Sequence, residues 1–116
     1  MKRSSSRPIY SLQQACELLP QVKHVTAEAV RRAEELAAQL HGMPEHDPEH
    51  ATLSDALRQV VNGWADDVQS LGLEAKGLWL VDFDSGSGYY CWRHPEPALE
   101  YFHGYEEGFE GRVKLN

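Results

Sequence analysis

Cys91, Glu96 and His103 bring a thiol, a carboxylate and an imidazole into one short stretch, and all three are groups that bind zinc. Their spacing is unlike a C-x-x-C pair. They predict a divalent metal site only if the connection that carries Glu96 folds back on Cys91. The competing reading is structural, with Cys91 a small buried hydrophobe and His103 a hydrogen-bonded core residue near Tyr89. Arg112 widens the choice. It can pin the C-terminal tail through a two-pronged ion pair with Glu96, or Glu96, His103 and Arg112 can form a site for an anion or another small ligand.

Asp82 stands in an otherwise apolar run and needs a partner, since an unpaired buried carboxylate is costly. Tyr90 and Arg93 are the candidates. Desolvation would raise its pKa toward that of a general base, but no nucleophile is evident beside it. His41, His46 and His50 lie among Glu45, Asp47 and Glu49. They read as an exposed loop that binds metal only incidentally.

The elements that must position these groups follow from apolar periodicity. Ser11 and Gln14 have capping-box spacing, and Leu12, Ala15, Leu18 and Leu19 start an apolar face that Pro20 is expected to kink or interrupt. Val22, Val25, Ala29, Ala33, Leu36 and Leu40 continue at helical spacing. Gly42, Pro44 and Pro48 end the first helical run. Leu53, Leu57, Val60, Trp64, Val68 and Leu71 then form a second stripe, which Gly72 closes. Two such helices joined by a short loop predict an antiparallel hairpin over residues 11–72.

From Gly77 the period changes. Leu78 to Phe83, Tyr89 to Arg93 and Leu99 to His103 predict a three-stranded antiparallel meander over residues 77–103, with Gly- and Pro-rich connections. The expected architecture is one α+β domain: an N-terminal helical hairpin, its first helix Pro-interrupted, packed on the meander. Residues 1–8 read as a mobile tail, and residues 104–116 as a tail that folds back on the sheet.

Pairing Phe83 with Tyr89 and Arg93 with Leu99 puts large apolar residues on both faces of the sheet. The helices can cover only one of them. The other face, with Trp79, Tyr90, Trp92 and Phe102 as interface candidates, predicts a homodimer or higher oligomer. A one-residue slip would exchange the faces of a strand.

Composition narrows the class. A net charge of −7 argues against nucleic acid as a partner. No run is long enough to span a membrane, and the basic start is not followed by the apolar core of an export signal. Two cysteines suggest reduced thiols in a cytoplasmic protein rather than a disulfide framework.

Several separated motifs carry a resemblance: L-V-D-F (80–83), C-W (91–92), P-E-P (95–97), Y-F-H (101–103), E-G-F-E-G-R (107–112) and the opening Y-S-L-Q-Q-A-C-E-L-L-P (10–20). Together they resemble an uncharacterised bacterial family, domain of unknown function 2203. Its members read Y/F-T-x-x-E-A-N-x-L-L-P, then L-V-D-F-P, L-C-W-x-x-G-E, W-H and G-F-x-G-R. This chain departs at Asp84, Pro95, Phe102 and Cys16, where proline, glycine, tryptophan and asparagine are usual. The resemblance implies no settled activity. Two functions therefore stand as expectations: an oligomeric interaction protein using the apolar sheet face, and a small metal- or anion-binding enzyme using Cys91, Glu96, His103 and Arg112. A divalent metal is the only cofactor these residues suggest.

Overall fold

The computed structural model describes residues 8–115. The basic segment expected as a mobile tail lies outside the described residues except for Pro8. Ser11 starts the first helix as the capping box requires: its hydroxyl accepts from Gln14 N at 3.1 Å, and Gln14 Oε1 accepts from Ser11 N at 2.9 Å. Helix α1 (Leu12–Leu40) then runs without a break. Pro20 is inside it, so the expected stop and restart does not occur. The bond Pro20 cannot donate would have gone to Cys16, and both residues are exposed, so water can serve the freed carbonyl.

Helix α2 (Pro48–Ser70) is capped by Asp47, whose carboxylate accepts from Glu49 N at 2.9 Å. Pro48 takes the first helical position, where its missing N–H costs nothing. The helices pack antiparallel, and Trp64 Nε1 donates to Thr26 Oγ1 across the interface at 2.8 Å. Gly72, at φ +85°, ends α2 in the left-handed conformation. A Cβ there would also strike Tyr10 Oη and Pro8.

The sheet has five strands, not three. They are β1 (Glu74–Gly77), β2 (Leu80–Asp84), β3 (Tyr89–Arg93), β4 (Tyr101–His103) and β5 (Val113–Lys114), in sequential order. Every pair is antiparallel. The two extra strands are the edges. Edge strands are often short and charged, which hides them from pattern reading.

The β3–β4 register is the expected one, with Cys91 opposite Tyr101 and Tyr89 opposite His103. The β2–β3 register differs by one residue: Asp84, not Phe83, faces Tyr89, and Asp82 faces Cys91. Asp84 belongs to the strand while its Oδ1 accepts from Gly86 N at 2.9 Å, which leaves Ser85 to Gly88 as the connection. Gly88 is required there, because a Cβ would collide with the Phe102 ring and the His103 carbonyl.

That slip sorts the two faces by polarity. Val81, Phe83 and Trp92 point to the helices and are fully buried, in a core with Ala15, Leu19, Val22, Trp64, Val68, Leu73 and Leu99. Asp82, Cys91, Tyr89, Tyr101 and His103 share the other face. The doubly apolar sheet is therefore not present. Trp92 has no surface to offer a partner, and its indole donates to Glu96 O at 2.8 Å. Trp79 packs edge-on against Trp64, and Tyr90 against Phe102. No helix among the described residues is long and apolar enough to cross a membrane.

Candidate metal centre

Three adjacent strands each place one side chain at the same point on the outer sheet face. Asp82 comes from β2, Cys91 from β3 and His103 from β4, at 1%, 0% and 3% exposure. One ligand atom from each lies within 4.8 Å of the other two. Among the described residues this is the one group of three or more such side chains. It could hold a metal ion. His41, His46 and His50 do not form a comparable group, and His50 Nδ1 instead lies 3.5 Å from Ser54 Oγ.

The hydrogen bonds define where the protons must be. His103 Nδ1 lies 2.9 Å from Gly104 O, and a carbonyl only accepts, so Nδ1 carries a proton. His103 Nε2 lies 3.0 Å from Asp82 Oδ2. Those two atoms also need one proton between them, whether it rests on the imidazole or on the carboxyl. Asp82 Oδ1 is buried without a hydrogen-bond partner. Burial raises the Asp82 pKa, while the His103 charge and hydrogen bond, then the Cys91 thiol, oppose that rise.

Cys91 is a thiol and not a thiolate. Burial, followed by the charge of Asp82 and its hydrogen bond, pushes it up to about 12, with Arg112 acting in the opposite direction. A nucleophilic cysteine needs a lowered pKa and some exposure, and this one has neither.

The C-terminal tail covers the group. Tyr105 packs edge-on against Tyr89 with ring centroids 5.1 Å apart, and its hydroxyl donates to Asp84 Oδ1 at 2.7 Å. The Arg112 guanidinium lies 3.9 Å from the Tyr101 ring centroid and 4.0 Å from that of Phe109. It donates to both oxygens of Glu96, at 3.0 and 2.9 Å. The two side chains are only 11% and 21% exposed, so this bidentate pair is well shielded from water and salt.

Glu96 is therefore not the third ligand of the cysteine–histidine set. Arg112 occupies both its oxygens, and Oε1 also accepts from Arg93 N at 2.8 Å. The anion grouping of Glu96, His103 and Arg112 is not assembled either, because Arg112 is spent on Glu96 and both nitrogens of His103 have partners within the chain. Asp82 takes the place expected of Glu96. Its signal in the sequence was a carboxylate in an apolar strand, and the register slip concealed that its neighbours are Cys91 and His103 rather than Tyr90 and Arg93.

Against this geometry, the chain matches the model of an uncharacterized conserved protein family (DUF2203) over residues 8–115. Comparisons with curated proteins and with solved structures give no match.

Proposed function

We propose that this chain, which belongs to that uncharacterized conserved family, is a metal-binding protein that holds one divalent ion of the zinc class at Asp82, Cys91 and His103. The observation that carries the reading is the convergence of Asp82, Cys91 and His103, one ligand atom from each within 4.8 Å of the other two, with the buried Asp82 Oδ1 met at most by the weak Cys91 thiol donor. Leaving such an atom unsatisfied is costly, and a cation would satisfy it.

The donor set suits zinc, which takes sulfur, nitrogen and carboxylate oxygen together. His103 is prepared for the role, because the contact of Nδ1 with Gly104 O fixes the tautomer and leaves Nε2 as the ligand atom. Burial favours holding over turnover. With all three residues at or below 3% exposure, no substrate reaches them while residues 104–112 lie over the sheet. The reading is a structural metal, tying three strands together under the tail, in place of the enzyme the sequence left open.

Metal analysis of protein purified without an affinity tag tests it. One zinc-class ion per chain is expected, falling to background in Cys91→Ser. Equal, trace metal in the two proteins after growth and purification in zinc would sink the idea.

A further inference from the structure

Between α1 and α2 runs a groove of about 410 Å³, lined in part by Glu28, Ala29, Arg32, Val60, Gly63 and Asp67. Two features there have no explanation within the chain. Gly63 sits inside α2, where glycine is the least favourable residue after proline, yet nothing lies within 4 Å of where its Cβ would be. No close approach inside the chain calls for it. Arg32 and Asp67 line the same groove, and neither side chain has an ion-pair partner among the described residues.

Their axial positions on the two helices are offset about a common level. The hydrogen bond from Trp64 to Thr26 marks one level on both helices. Arg32 is six residues beyond Thr26, about 9 Å along the axis, and Asp67 is three residues beyond Trp64, about 4.5 Å in the opposite direction because the helices are antiparallel. The midpoint between the two charges falls within about one residue's rise of Gly63.

We propose that a second copy of this chain docks in this groove about a two-fold axis passing beside Gly63. The axis sets Arg32 of each copy against Asp67 of the other, giving two identical charge pairs, as an isologous interface demands. At the axis, where the copies approach most closely, each contributes a glycine. The four helices then form a bundle. The charges select a second copy over an unrelated helix, because they are complementary to their own image under the two-fold. This dimer does not depend on the metal.

Sedimentation velocity of the full chain over a concentration series tests the interface. Wild type is expected as a concentration-dependent dimer. Gly63→Gln is expected to be monomeric while melting no lower than wild-type protein diluted to its monomer, since glutamine is the better helix former. Arg32→Asp should raise the dimer dissociation constant more than about 100-fold, and adding Asp67→Arg should restore it. A wild-type chain that stays monomeric well above micromolar concentration overturns the proposal. So does a dimer that persists unchanged in Gly63→Gln and in Arg32→Asp.

Discussion

The proton shared by His103 Nε2 and Asp82 Oδ2 marks what the outer sheet face can do. A metal taken up at this group must displace it along with the Cys91 proton, because ligands bind in their deprotonated forms. Without metal, the protons themselves hold the site together. The Cys91 thiol is pushed from 9.0 to about 12, chiefly by burial. The Tyr89 phenol is pushed from 10.0 to about 12 by burial and by its hydrogen bond to Glu74. The folded chain thus keeps both protons to a higher pH than the unfolded chain does. Their contribution is fully present below pH 9.0 and is lost as pH rises toward about 12. Urea unfolding of metal-free protein should show a midpoint that falls across this window, with a shallower fall in Cys91→Ala. A midpoint that stays level would show that these groups are not held as described. At this scale the sequence exposed the need but not the answer. Asp82 was visible as a carboxylate requiring a partner, while its partners depended on a register that differed by one residue.

Among the elements, those with local signals were legible and those made by pairing were not. Ser11 with Gln14 is a cap formed within a few residues, so the start of α1 is legible from type and spacing, whereas Asp47 and Pro48, which start α2, fall by pattern in the connection, where Pro48 reads as ending the first helix. Strand β1 reads E-A-K-G and β5 reads V-K. Neither has an alternating pattern long enough to detect, and each exists because a neighbouring strand offers its edge. Strand β5 is held near the sheet by the preceding Arg112, which joins the tail to Glu96 and is clasped by Tyr101 and Phe109. Lysine keeps the charge but loses both the fork and the flat stacking surface. Arg112→Lys should therefore destabilise the protein by about 1–3 kcal/mol, with faster amide hydrogen exchange concentrated in residues 104–115. Unchanged exchange there would mean the tail is held by other contacts.

The whole molecule is longer than its chain length requires. Its radius of gyration is 16.4 Å, against about 13 Å for a compact domain of this size. Helix α1 has 29 residues, whereas no strand exceeds five, and the sheet packs on one end of the hairpin. Most of the buried core lies at that end, from Ala15 to Thr26 on α1 and at Trp64 and Val68 on α2. Sequence patterning anticipated the α+β division and the need to cover both faces of the sheet. It assigned the second cover to a partner because tail residues 104–112, rich in glycine and acid, do not look like a lid. Tail residues 104–112 lie over that face instead and leave Asp82, Cys91 and His103 enclosed.

The most direct test of the metal centre is a cobalt(II) titration of tag-free, metal-stripped protein followed by absorbance. Cobalt reports a thiolate ligand through a near-ultraviolet charge-transfer band. The metal reading predicts saturation at one ion per chain, loss of the band in Cys91→Ser, and an affinity that rises with pH as the Cys91 thiol gives up its proton. A titration that gives no thiolate band, or one that is the same in Cys91→Ser, would contradict the assignment of Asp82, Cys91 and His103 as a metal centre.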